Sequence, residues 1–305
     1  MCGVPLRCGS GGDRSSGDAK NRNDMKKLFF LLMLAGAVSC GKAPQELTVM
    51  TMNVRYDNPE DGENNWRFRR ERVGELIRSQ QVDLLGTQEV LSNQYDDLRA
   101  ELPAYASVGV GREDGARAGE FNAIFYRTER FDLLDSGTFW LSETPEVAGS
   151  KGWDAACERI ATWVILRDGT NGRELLFVNT HLDHMGEQAR REGVTLLLDR
   201  IAALRGDRPV ILTGDFNADP SSTVIAHVLE DGTLRSAWDV AAVRHGAGWS
   251  FADFGQIPVG ERPLIDYVFF GGGFEADECT ILPDTLGGGY VSDHAPVRAL
   301  LRYAE

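Results

Sequence analysis

Cysteine, long apolar runs, sequence repeats and surplus basic charge are all scarce in this chain, and each shortage excludes a class of protein. The sequence has five Cys in 305 residues, and past position 40 only Cys157 and Cys279 remain. Two cysteines make no disulfide framework, so a hydrophobic core must hold the fold. Two unpaired, partly buried thiols are expected. No apolar run reaches the roughly 20 residues that cross a bilayer comfortably. No fixed-period repeat, low-complexity tract or long linker interrupts the chain. Basic residues are outnumbered, with 32 Lys and Arg against 46 Asp and Glu, a net charge of −14. Such a surface repels polyanions at long range and disfavours tight binding to long nucleic acids. Metal ions reverse that field locally.

The composition that is present, 42% hydrophobic and 26% charged, is that of an ordinary globular protein. The length suits one large or two ordinary domains. The 34 Gly point to many turns. Residues 1–24 are polar, Gly-rich and unpatterned, and read as disordered upstream read-through. Residues 25–39 read as a secretory signal: Met25-Lys26-Lys27, a short apolar core from Leu28 to Ala37, then Val38-Ser39 before Cys40. The ending Ala37-Val38-Ser39-Cys40 resembles a bacterial lipobox, which implies a lipidated Cys40 and a tether over 40–46. That places the protein in a bacterial cell envelope, lipid-anchored, in the periplasm or on the outer-membrane surface. An ordinary cleaved signal with an incidental Cys40 is the alternative. Residues 1–39 carry six of the basic and three of the acidic residues, so the remainder has a net charge near −17.

Hydrophobic periodicity switches repeatedly between strand and helix. Strands are expected at 47–53, 82–88, 105–110, 122–126, 131–140, 159–166, 175–180, 210–215, 265–270, 278–282 and 297–302. Helices are expected at 68–80, from a Ser92 cap to about 102, at 187–204, and briefly from 221. Val194, Leu197, Leu198, Ile201 and Leu204 make the clearest apolar stripe. Many strands and few helices suggest an α/β fold with two sheets face to face and helices outside. A single domain over 47–305 fits, because the chemistry-bearing residues come from both halves.

Those residues stand where strands end. Asp215 and Asn217 follow the apolar run Val210-Ile211-Leu212 and share a side by the period of two. Gly, Asp and Asn are also ordinary strand-ending turn residues. Asn53 ends the first strand and Glu89 ends Gly86-Thr87-Gln88-Glu89, where a hard cation such as Mg²⁺ or Mn²⁺ would find oxygen donors. Asn179-Thr180-His181 and Ser292-Asp293-His294 put two imidazoles at strand ends, suited to acid–base or phosphoryl-stabilising work. Asp266 is an acid inside an apolar strand, and a histidine is its natural partner. Arg159 opens a strand and has the fork that binds phosphate. His184 follows His181 closely, and Asn179, His184 and Trp249 are candidate substrate contacts. Trp66, Trp153 and Trp249 suit stacking on a sugar or base, or packing under loops.

Six segments in order resemble the endonuclease/exonuclease/phosphatase superfamily: Thr51-Met52-Asn53-Val54-Arg55-Tyr56, Gly86-Thr87-Gln88-Glu89-Val90, Asn179-Thr180-His181-Leu182, Thr213-Gly214-Asp215-Phe216-Asn217, Ile265-Asp266-Tyr267-Val268 and Ser292-Asp293-His294. The resemblance implies a deoxyribonuclease I-like fold, a four-layer α/β sandwich of two mixed sheets with outer helices. It implies metal binding at Asn53, Glu89 and Asp293. It implies that His181 contacts the scissile phosphate, Asp215 aligns the attacking water beside Asn217, and His294, oriented by Asp266, stabilises the phosphoryl group. Arg159 matches a phosphate-contacting arginine. The expected function is therefore metal-dependent hydrolysis of a small or medium phosphoester by a monomer outside the cytoplasm. A secreted nuclease and an inactive ligand-binding relative are the alternatives.

Overall fold

The computed structural model describes residues 46–304. The segments read as leader, signal and tether, Cys40 included, lie outside the described residues, except for Glu46, which opens the first strand. In chain order the elements are β1 (Glu46–Asn53), α1 (Trp66–Ser79), β2 (Leu84–Gln88), α2 (Ser92–Glu101), β3 (Tyr105–Val108), β4 (Ile124–Arg127), β5 (Phe131–Trp140), β6 (Ile160–Asp168), β7 (Glu174–His181), α3 (Glu187–Arg205), β8 (Val210–Asp215), α4 (Thr223–Leu229), β9 (Arg235–Ser236), α5 (Ala237–Val240), β10 (Val243–His245), β11 (Asp266–Gly271), β12 (Phe274–Ile281), β13 (Thr285–Leu286), β14 (Gly289–Tyr290) and β15 (Val297–Tyr303).

Two mixed sheets form the body. One has the order β10-β12-β15-β1-β2-β4-β3, the other β5-β6-β7-β8-β11-β9. The central pairs, β1–β2 and β7–β8, are parallel, and most flanking pairs are antiparallel. The sheets face each other through β1, β2, β7, β8 and β11. Strand alternation assigns each side chain to a layer. In β1, Leu47 and Val49 join the large core that includes the second sheet, while Met50 and Met52 join Val73, Ile77 and Leu98 beneath α1 and α2. On the far side α3 packs on β7 through a stripe of Val194, Leu197 and Ile201. The α/β sandwich expected from the periodicity is what forms.

Helix ends follow local chemistry. Asn65 caps α1 by accepting from the Arg67 N–H. Ser92 is not the cap of α2; Leu91 holds that position, and the third helical residue, Gln94, accepts from the Leu91 N–H. Asp154, from a distant loop, accepts from the N–H groups of Gln188 and Ala189 and caps α3 in trans. Cys157 and Cys279 are both free thiols, half-buried and buried respectively. No helix among the described residues is long and apolar enough to cross a membrane.

Candidate active site

Because strand side chains alternate, Thr51 and Asn53 of β1 project toward the second sheet, as do Gly86 and Gln88 of β2. Asn179 and His181 of β7, and Thr213 and Asp215 of β8, point back at them. Below the strand ends these residues make a polar layer. Gln88 Nε2 donates to Thr51 Oγ1 at 3.0 Å and to Asn179 Oδ1 at 2.7 Å, and Thr213 Oγ1 donates to Asn179 Oδ1 at 3.0 Å. Gly86 is obligatory there, because a Cβ would lie 2.3 Å from Thr213 Oγ1 and 2.4 Å from Asn179 Oδ1.

Two residues further along β7 and β8, the strands deliver the reactive groups. His181 and Asp215 are register partners across β7 and β8, and Asp215 and Asp266 are partners across β8 and β11. Asp215 is the hub. Its Oδ2 accepts from Asn53 Nδ2 at 3.0 Å and lies 3.5 Å from His181 Nε2 and 3.8 Å from His294 Nε2. Its Oδ1 accepts from the Asn217 N–H at 2.9 Å. Asn217 Nδ2 donates to the Leu182 carbonyl, which fixes the amide, and lies 3.0 Å from His181 Nε2. An amide N–H can only donate, so that nitrogen is the acceptor in this contact, while His181 Nδ1 is buried with no partner. His294 Nδ1 lies 2.8 Å from Asp266 Oδ2. Arg55, Glu89 and Asn217 hold positive φ angles of 57°, 59° and 47°, a conformation non-glycine residues rarely adopt and one that gathers at working sites.

Burial and neighbouring charge separate the two imidazoles. His181 is pushed well below its ordinary value, first by burial and then by the guanidiniums of Arg159 and Arg112. Burial opposes the charge on His294 too, but Asp266, Asp293 and Asp215 outweigh it and hold the imidazolium well above the ordinary range. Asp215 is raised to about 7 by burial and by Asp266, against the pull of His294. Asp293 is raised by burial and by Glu89, with His294 and Arg55 acting against the rise. Two mutually repelling carboxylates at the floor of a cavity, with Arg55 Nε no nearer than 3.8 Å from Asp293, are oxygen donors suited to a hard divalent cation. Glu89 and Asp293 are the residues that would hold it, with Asp215 beside them.

These groups line a cavity of about 500 Å³. Glu89, His181, Asp215, Asn217, Asp293 and His294 all reach it, and Arg159 and His184 form its side wall. Asp183 builds that wall. It accepts from the N–H groups of Ala156, Met185 and Gly186 and from Arg159 Nε, and Arg159 Nη2 contacts His184 Nδ1 at 3.0 Å. Burial would raise the Asp183 carboxyl, but those N–H groups and Arg159 hold it well below the usual range. Its oxygens are therefore committed to the wall, with Cys157 and His184 clustered beside it. Arg159 Nη1 is buried with no partner.

Three expectations need correction. Asn179 is fully buried in the polar layer below the cavity, where it spans the sheets and touches no substrate. Trp249 does not line the cavity; it packs against the core beneath the Arg262 guanidinium, 4.4 Å from its ring centre. Asn53 is fully buried and does not line the cavity; it turns its Oδ1 to the Arg55 N–H at 2.9 Å and its Nδ2 to Glu89 and Asp215, so it bridges carboxylates. Trp66 is also buried, donating from Nε1 to Asp97. Asp266 reaches the site only through His294.

Sequence reading missed Arg69. It is fully buried, and its guanidinium donates to the carbonyls of Asn64, Val54, Val291 and Arg55. It thus clamps the segment after Asn53 to the segment before Asp293. Sequence reading also missed Arg112 and Glu120, paired at 2.6 Å in the cavity wall. An arginine inside the apolar stripe of α1 was the one available signal for the first. The second pair lies in a Gly-rich stretch with no periodicity to mark it.

A family model described as Endonuclease/Exonuclease/phosphatase family matches residues 50–294. A solved member from Bacteroides vulgatus is 41% identical, with a TM-score of 0.82 over 85% of this chain and 99% of that one. The mannosyl-6-phosphatase of Bacteroides thetaiotaomicron is 36% identical, with a TM-score of 0.81 over 84% of this chain and all of that one (100%). The CCR4-Not complex 3'-5'-exoribonuclease subunit Ccr4 of Aspergillus niger is 24% identical over 255 residues, 64% of this chain and 39% of its own length. The chain spans two fifths or less of the length of the curated relatives it matches. With the matched segment covering the whole cavity, the chain belongs to the endonuclease/exonuclease/phosphatase family, whose members hydrolyse phosphoesters.

Proposed function

We propose that this protein is a divalent-metal-dependent hydrolase of small phosphoesters that works outside the cytoplasm. The observation that carries the reading is the meeting of Glu89, Asp215, Asp293 and His294, from three separate segments, at one cavity. Family membership supports it, and the mannosyl-6-phosphatase relative points toward sugar phosphates. The oxygen donor set of half-buried Glu89 and buried Asp293 suits Mg²⁺ or Mn²⁺. When bound, such a cation would neutralise the phosphate and the leaving oxygen.

The chain's own groups divide the remaining work. Asp215 orients a water and takes its proton as the new P–O bond forms and the bond to the alcohol breaks; a carboxyl raised to about 7 is matched to that task at neutral pH. His294, kept protonated by Asp266, places positive charge on the phosphoryl oxygens. His181 stays neutral, and the Asn217 backbone N–H fixes the position of Asp215. The unpartnered Nη1 of Arg159 supplies a further donor to phosphate.

A nuclease is the second reading, favoured by similarity to the exoribonuclease subunit and opposed by the acidic surplus. The test is a panel assay of residues 41–305 with Mg²⁺ or Mn²⁺, with and without chelator, on p-nitrophenyl phosphate, its bis-ester, sugar phosphates, RNA and plasmid DNA. Chelator-sensitive release of phosphate from small esters is the expected result. Asp215→Ala should abolish it with folding intact, and normal turnover in that variant would overturn the assignment. We further propose that the protein is a monomer anchored by a lipid on Cys40. Size-exclusion chromatography and fatty-acid labelling of Cys40→Ser against wild type test those two statements.

A further inference from the structure

The hydrolytic cluster leaves one cavity wall unexplained. Arg112 and Glu120 face each other across a short hairpin closed by Arg112 N–H to Glu120 carbonyl and Glu113 N–H to Ala118 carbonyl bonds, 3.0 and 3.1 Å. Their side chains pair at 2.6 Å and line the same cavity as the reactive groups. The hairpin is fixed from behind. Trp140 Nε1 donates to the Arg112 carbonyl at 2.6 Å, and Arg117 ties it to Ser92 and Asp96 on α2. A Cβ on Gly111 would lie 2.2 Å from the Ala118 carbonyl oxygen, so the two arms approach as closely as backbones can. The wall is rigid before any ligand arrives.

We propose that the Arg112–Glu120 pair binds the alcohol portion of the substrate through neighbouring hydroxyls, which makes a polyhydroxylated phosphomonoester, a hexose phosphate in chemical class, the preferred substrate. This rests on the hydrolase reading of the site. A hydroxyl both donates and accepts, so a vicinal diol matches a fixed carboxylate beside a fixed guanidinium. A flat aromatic leaving group needs a free ring to stack on, and the cavity has none to give. Its Tyr and Phe linings are engaged: Tyr56 lies 4.5 Å beneath the Arg55 guanidinium, and Phe251 packs at a 45° tilt against the His294 ring, 4.7 Å between centres. Trp249 lies outside it. Volume agrees, because about 500 Å³ accommodates a single phosphorylated sugar.

Steady-state hydrolysis by the full chain with Mg²⁺ tests this on a hexose 6-phosphate, its 2-deoxy analogue and p-nitrophenyl phosphate, for wild type, Glu120→Gln and Arg112→Gln. Wild type should favour the hexose ester. Both variants should lose about tenfold or more of the kcat/KM ratio between hexose 6-phosphate and p-nitrophenyl phosphate, carried by KM on the sugar. Glu120→Gln is isosteric, so it reports even if Arg112→Gln folds poorly. Equal losses on all substrates, or an unchanged ratio, overturn the proposal. If wild type hydrolyses none of the three, the hydrolase reading fails and the proposal falls with it. If wild type is active and the ratio stays fixed, the proposal alone falls.

Discussion

Replacing Asp266 with Asn removes one negative charge and no volume from beneath His294. The Nδ1–Oδ2 contact is 2.8 Å, and both residues are at least 96% shielded from solvent. Breaking a buried ion pair by removing one partner costs about 3–5 kcal/mol if the remaining charge stays. His294 escapes that cost by losing its proton, since burial already opposes its charge and Asp266 is the leading reason it is overcome. The positive charge then disappears from the phosphoryl site. Loss of one preorganised stabilising donor is worth about 2.7–4 kcal/mol in the barrier, or about 10²–10³ in kcat. The expected phenotype is a fall of that size in kcat with KM little changed. The alkaline limb of the pH–rate profile should also move down into the neutral range, because the ring no longer holds its proton there. Kinetics on the best substrate from the panel, run from acid to alkaline pH beside a thermal melt, check this. A folded variant that retains wild-type kcat and an unmoved alkaline limb refutes the assignment of His294 as a charged stabiliser.

Metal-free protein should lose stability as pH climbs from about 4 to 7. Asp215, ordinary value 3.8 and here about 7, keeps in the folded state a proton that the unfolded chain has released, a linkage worth at most on the order of 4 kcal/mol. The rise in melting temperature on adding Mg²⁺ should accordingly be larger at pH 8 than at pH 6, and melts with and without chelator measure it. Gly86→Ala forces a methyl against Thr213 and Asn179 and should cost about 1–3 kcal/mol in urea unfolding, or more if the polar layer cannot shift. Asp183→Ala frees Arg159 and His184 and should raise KM more than it lowers kcat in steady-state assays, because Asp183 touches neither the phosphate nor the water.

The fold and the floor of the site were legible in the sequence for one physical reason. The central strands that build them, β1, β2, β7, β8 and β11, are buried along nearly their whole length, and the site residues lie at or just past their ends. Val210 to Asp215 shows both properties at once. Short elements with no such buried run escaped, among them β9, β10 and the β13–β14 ribbon. Asn179 was misassigned because the same alternation that points a residue toward the site also points the one two places earlier into the layer beneath it. Trp249 was misassigned because composition names a ring's capacity to stack and not its partner, which is Arg262. Arg112, Glu120 and Asp183 act through distant backbone and side-chain partners that no local pattern records.

Arg69 and Asn53 show how the chain tolerates the crowd of acids at its centre. Glu89, Asp215 and Asp293 repel one another, and folding must hold them together before any cation arrives. Asn53 places its amide between two of them, donating to Glu89 at 2.9 Å and to Asp215 at 3.0 Å. Arg69 contributes a buried positive charge that bonds no carboxylate and grips the backbone on both sides of the cluster. Arg55 is drawn off by a two-point pair with Asp61, which leaves it only a long, 3.8 Å contact with the Asp293 carboxylate. A guanidinium seated directly on Asp293 would relieve more repulsion and also fill the position a metal needs. The scaffold therefore stabilises its acids through dipoles and at a distance, and the residual repulsion is what would give a divalent ion affinity for the site.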